Sequence, residues 1–196
     1  MTRSRLAVPR VLLPLAVALL VAVSPARAEH ALTVYTGRFT GNDWEDFFWR
    51  PGDIRYADSY ILAVGPSTVL RDLTPGLRLE AEGQAVRHFG EQTHWEFNGA
   101  LVGRWHAFPW DRTVRSSAAF GVGPSWASER PALEPGINGG ETRQLLVYWF
   151  LELTAAPADW ERWAGSLRLH HRSGAFGLVA AKGGSNVLAL GLRRRF

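Results

Sequence analysis

Trp95-Glu96-Phe97-Asn98-Gly99-Ala100-Leu101-Val102-Gly103-Arg104-Trp105-His106-Ala107, residues 95–107, alternates two kinds of residue with a period of two. In an extended strand Trp95, Phe97, Gly99, Leu101, Gly103, Trp105 and Ala107 share one face, and Glu96, Asn98, Ala100, Val102, Arg104 and His106 share the other. Aromatic rings mark both ends of the apolar face, as they do where a strand meets two membrane interfaces. Apolar surroundings on one side and an enclosed polar space on the other describe a transmembrane barrel strand, the reverse of a soluble sandwich.

The run before it reads the same way. Leu77, Leu79, Ala81, Gly83 and Ala85 alternate with Arg78, Glu80, Glu82 and Gln84. Counting runs bounded by turn residues gives eight strands, near residues 30–38, 54–65, 76–88, 93–107, 112–126, 143–155, 161–173 and 186–196. Long connections at 39–53 and 127–142 alternate with short ones at 108–111 and 156–160, the pattern of an outer-membrane barrel with periplasmic termini. The expected fold is therefore all-β, an eight-stranded antiparallel transmembrane β-barrel over residues 29–196, following a signal peptide over 1–28. Two segments fit less well. Residues 54–65 alternate weakly, and 66–74 read as a linker.

The leader assignment rests on Arg3, Arg5 and Arg10 before an apolar run, then an Ala26-Arg27-Ala28 cleavage pattern. Four arginines and no acid precede Glu29, so the 22 Lys+Arg less these four equal the 18 Asp+Glu, and the remaining chain is formally neutral. The net charge of +4 thus belongs to the leader and does not argue for nucleic acid. Zero cysteines exclude disulfides and thiolate chemistry. Inside the barrel Arg78, Glu80, Glu82, Glu96, Arg104, His106, Arg115 and Arg168 should converge as a structural salt-bridge network, because eight strands leave little lumen.

Residues 169–196 hold the pair that suggests chemistry. His171 and Ser173, two apart in a strand, lie roughly 6–7 Å from each other on one face, in line with Leu167 and Leu169. An imidazole beside a hydroxyl is the minimum for a serine nucleophile and its base. Parity puts both outside the barrel, near the outer interface. Asn186 opens the eighth strand on the matching face and can orient His171, and Glu141 above strand six has the same parity as an alternative orienter. Backbone N–H groups of Gly174 and Ala175 would serve an oxyanion. Arg130, Arg143 and Arg172 near the rim are candidate phosphate contacts. His170 should face the lumen, and His88 and His94, flanking a short hairpin, read as solvated, with contact to a sugar or phosphate as the alternative.

With its leader, its eight-strand pattern, His171-Arg172-Ser173, the Gly-rich hairpin after it and the terminal Phe196, the chain resembles the PagL family of outer-membrane lipid A deacylases, also known as acyloxyacyl hydrolases. That resemblance implies hydrolysis of an ester-linked acyl chain of lipid A in the bacterial outer membrane, without metal or coenzyme. Ser173 matches the family's nucleophile and His171 its base, with lipopolysaccharide as the partner. The family's glutamate at the start of the last strand does not carry over, since Ser185 and Asn186 stand there. The asparagine after the serine is Gly174. An asparagine can hold an imidazole tautomer but stabilises an imidazolium less than a carboxylate does. The alternatives are a non-enzymatic outer-membrane barrel of structural or adhesive role, and a soluble periplasmic barrel for an apolar ligand. A homodimer is left open.

Overall fold

A computed structural model describes residues 29–137, 142–180 and 184–196. The proposed leader, residues 1–28, and Glu141 lie outside the described residues. Eight antiparallel strands close into a barrel in sequence order: β1 (His30–Thr40), β2 (Tyr56–Thr74), β3 (Leu77–Gly90), β4 (Trp95–Trp105), β5 (Val114–Ala127), β6 (Leu145–Pro157), β7 (Trp163–Ser173) and β8 (Gly184–Arg195). β1 pairs with β8, for example Val34 with Leu192, so the sheet has no free edge. The described residues of four loops crown one end: L1 (residues 41–55), L2 (91–94), L3 (128–137 and 142–144) and L4 (174–180). Both ends of the described chain lie at the opposite, turn end.

Closure follows from the alternation. On β4, Glu96, Asn98, Val102 and Arg104 are buried in the lumen, whereas Trp95, Phe97, Leu101 and Trp105 are exposed outside. Leu62, Phe120, Leu153, Leu190 and Leu192 extend this apolar outer band. Trp95 and Trp126 mark its loop end, and Trp105, Trp110, Trp163 and Phe196 its turn end. Arg194 faces outward there, but its guanidinium lies over the Trp163 and Phe196 rings, 5.4 and 4.8 Å from their centroids.

Residues 66–74 are not a linker: β2 runs through them to Thr74, and a Pro75-Gly76 turn with Gly76 at φ 97° leads into β3. Pro66 is accommodated because the β2–β3 ladder passes from Val64↔Ala85 to Ser67↔Glu82 without a bridge at 65 and 66, where a proline has no N–H to give. Pro124 in β5 sits at the same kind of interruption opposite β4.

The lumen is packed. Toward the loop end, Tyr35, Phe39, Ile61, Ala63, Val86, Val187 and Ala189 form an apolar cluster. At mid-barrel the fully buried Arg168 reaches Glu82 at 2.6 Å and Glu152 at 2.6 Å, with its guanidinium 3.9 Å from the Phe150 centroid. Arg104 joins Glu80 to Glu152 at 3.0 and 2.9 Å, and Arg193 adds a second bond to Glu80 at 3.0 Å. Of the residues expected to converge, Arg78 turns instead to Glu29 and Asp72 at the turn-end rim. His106 and Arg115 join no ion pair among the described residues, where His106 Nδ1 and Arg115 Nε and Nη2 have no hydrogen-bond partner.

Candidate active site

β7 and β8 put three candidate residues on the outer wall just below L4. Their register pairs His171 with Asn186 and Ser173 with Gly184. Glycine is needed at 184: its φ is 148°, and a Cβ would run into the Arg172 carbonyl oxygen.

Asn186 is held on both sides. Its Nδ2 donates to the Asn42 carbonyl at 2.8 Å, and its Oδ1 lies 2.6 Å from His171 Nδ1. A backbone carbonyl only accepts, so the first bond fixes which way the amide points. Oδ1 also only accepts, so His171 carries its proton on Nδ1. That leaves the Nε2 lone pair unprotonated, the tautomer a general base requires.

The His171 ring is also covered. Trp149, its register partner on β6, lies with ring centroids 4.3 Å apart. Trp44 of L1 meets Trp149 edge-on at 5.6 Å, and Phe48 meets Trp44 edge-on at 6.3 Å. L1 therefore folds down over the outer wall. Leu169 and His171, both outward by parity, are only 5% and 9% exposed, while Leu167 on the same face is 41% exposed.

L1 is braced by its own polar contacts. Asn42 Nδ2 donates to Asp46 Oδ2 at 3.0 Å, the Arg55 N–H donates to Asn42 Oδ1 at 2.7 Å, and Arg50 pairs with Asp46 at 2.6 Å. The Asn42 bond first, then Arg50, holds the Asp46 carboxyl below its usual pKa. This support is complete above the ordinary carboxylate range and fades as pH falls through the lowered value. A short helix α1 (Asp46–Trp49) follows and leaves Phe48 and Trp49 exposed.

Between L1 and the wall runs an apolar groove of about 690 Å³, lined by Phe47, Phe48 and Ile54 above and Leu151, Leu169 and Leu188 below. Leu169 and Leu188 are a register pair, and the next pair on that face is His171 and Asn186. The groove thus ends one step from the imidazole.

Ser173 ends β7 on the face of His171, but its Oγ is turned to the following turn and not to the imidazole. Its Oγ accepts the Ala175 N–H at 3.0 Å, a local turn in which Ala175 adopts φ 52°. The described residues show no hydrogen bond from Ser173 Oγ to His171. Ala175 N–H is therefore engaged by the serine's own oxygen, and Gly174 is left as the neighbouring backbone donor.

Two further expectations are corrected. Arg172 is not a rim cation: it points inward, 1% exposed, bonding Glu134 at 2.6 Å and the Gln144 carbonyl at 2.9 Å. Glu134, on the short helix α2 (Glu134–Ile137), also accepts the Ser185 hydroxyl at 3.1 Å. Arg130 and Arg143 remain exposed at the rim. His88 and His94 are not solvated but buried at 2% exposure each, and His170 faces the lumen as parity requires. The sequence reading missed Asn42, Trp44 and Trp149. The aromatic run Trp44, Phe47, Phe48, Trp49 inside a long loop was the available signal for L1.

Comparison with solved structures finds the same architecture elsewhere. The crystal structure of the outer membrane enzyme PagL superposes with a TM-score of 0.55 at 15% identity, covering 84% of this chain and 98% of that one. Neisserial surface protein A superposes with a TM-score of 0.52 at 11% identity, covering 86% and 97%. No protein-family model and no curated protein matches the chain. At these identities the likeness is one of fold: a closed eight-stranded barrel of the kind found in bacterial outer membranes.

Proposed function

We propose that this chain is an outer-membrane ester hydrolase that removes an ester-linked acyl chain from lipid A. The observation that carries the reading is the His171–Asn186–Asn42 relay, which leaves an unprotonated Nε2 on the outer wall at the end of an apolar groove. Lipid A would lie in the outer leaflet with its acyl chain along the groove. After a rotation about χ1 frees Ser173 Oγ from the Ala175 N–H, Oγ attacks the ester carbonyl and its proton passes to His171 Nε2. The Gly174 N–H steadies the oxyanion. The ester C–O bond breaks, His171 returns the proton to the leaving alkoxide, and water releases the acyl group by the reverse relay. With asparagine as orienter the imidazolium is held in place but not neutralised, so turnover should be slow relative to a carboxylate-supported site.

The test is mass spectrometry of lipid A from cells producing the inserted protein: loss of one acyl chain supports the reading, and unchanged lipid A overturns it. Asn186→Ala should leave the barrel folded and lower kcat on the order of 10²-fold through misplacement of His171. Combined with Ser173→Ala it should cost nothing further, because residues acting as a unit are not additive. An additive double variant would place Asn186 outside the machinery.

A second reading is a non-enzymatic surface barrel. The bond from Ala175 N–H to Ser173 Oγ favours it, since that contact gives the serine a purely structural role at the start of L4.

A further inference from the structure

Inside the barrel, apart from the outer-wall site, β3, the end of L2 and β4 bring a second group of side chains together. His88, His94 and Glu96 are 2%, 2% and 0% exposed, and one donor atom from each lies within 4.8 Å of the others. The backbone fixes this: His88 N–H donates to the His94 carbonyl at 2.9 Å, and His94 and Glu96 share the inward face two residues apart. The two imidazoles stack at 4.0 Å with 15° between their planes.

The hydrogen bonding around them is incomplete in one place. Glu96 takes His88 Nε2 on one oxygen and His170 Nε2 on the other, each at 2.9 Å, and Tyr35 Oη lies 3.1 Å from His170 Nδ1. Gln92 lies 3.3 Å from His88 Nδ1. His94 Nε2, buried beside this network, has no hydrogen-bond partner among the described residues. A buried ring nitrogen left unpaired carries its full desolvation penalty, and the described groups around it offer no hydrogen bond. Two imidazoles and one carboxylate, with the carboxylate steadied from behind by His170 and the Asn98 amide, are a ligand set suited to ions of borderline softness. The nearby Arg172 guanidinium, 3.9 Å from Glu96, already has its charge matched by Glu134 at 2.6 Å.

We propose that His88, His94 and Glu96 bind a divalent transition-metal ion of the zinc class inside the barrel. Binding pairs the orphaned His94 nitrogen, and the proton that His88 Nε2 now shares with Glu96 passes to His88 Nδ1, where the Gln92 amide turns to accept it, so that both histidines ligate as neutral imidazoles. Bonds of about 2.0–2.1 Å require the rings to pivot out of their stack by about an ångström, with a fourth position open to water. The ion fastens the β3–β4 hairpin, and through Glu96 and His170 it connects that hairpin to β7 on the far wall.

The experiment uses tag-free full-length chain folded in detergent, incubated with Zn²⁺ and desalted. Elemental analysis is expected to find about one equivalent retained, and Co²⁺ in its place should give the visible absorption of a tetrahedral nitrogen–oxygen site. His94→Ala and Glu96→Gln should abolish both signals. His94→Ala in particular should keep the heat-modifiable gel mobility of a closed barrel, since its Nε2 bonds to nothing in the described protein. A folded wild type that holds no metal and shows no Co²⁺ absorption overturns the site, as does unchanged binding by folded His94→Ala.

Discussion

Ser173→Ala is expected to reduce release of fatty acid from lipid A by at least about 10³-fold while leaving the barrel intact. Among the described residues the side chain gives the fold one hydrogen bond, from the Ala175 N–H at 3.0 Å, worth about 0.5–1.5 kcal/mol. Its structural loss is small against the loss of a nucleophile. The measurement pairs lipid A mass spectrometry with heat-modifiable mobility of the same membranes. A folded Ser173→Ala barrel that hydrolyses at the wild-type rate would show Ser173 to be a turn residue only. On the proposed mechanism His171→Ala should follow Ser173→Ala in activity, because there the imidazole and the hydroxyl act as one unit.

Arg168→Ala should destabilise the barrel by about 3–5 kcal/mol. The guanidinium is fully buried between Glu82 and Glu152 and lies over the Phe150 ring. Removing it leaves Glu82 with a Gln84 contact but no cation, while Glu152 keeps Arg104. Much of the cost is the unpaired buried charge, so the double variant Arg168→Met with Glu82→Gln should recover part of it. Urea unfolding of the refolded proteins in detergent reads both. Equal midpoints for wild type and Arg168→Ala would mean that water enters the lumen and solvates the carboxylates.

The strands that could be read from sequence are those whose two faces differ. β4 sets Glu96, Asn98 and Arg104 against Trp95, Phe97 and Leu101, and its alternation survives intact in the closed sheet. β2 could not be read this way because Ile61 and Ala63 enter an apolar cluster in the lumen while Leu62 and Val64 face outward. Both faces are apolar, and the contrast that marks period two vanishes. Pro66 then read as the end of a strand, although it sits where the ladder to β3 is already interrupted. The pairing of His171 with Asn186 was legible because parity survives a loop of any path once both strands are in the sheet. L1 was not, since nothing local tells Trp44 to lie on Trp149, a hundred residues away in sequence. Arg172 was misread as a rim cation although its parity, opposite to His171 and Ser173, points it inward, and the partner that holds it there, Glu134, comes from a distant loop.

The hold on His171 spans the joint where β1 meets β8. The histidine belongs to β7, Asn186 to β8, and the carbonyl that fixes Asn186 follows β1 at Asn42. A chain awaiting insertion, with that joint still open, keeps the serine and histidine but has no fixed orienter and no aromatic cover for the imidazole. On the proposed function, hydrolytic competence would arrive together with closure, and the chain in transit would be inert toward the lipids it passes.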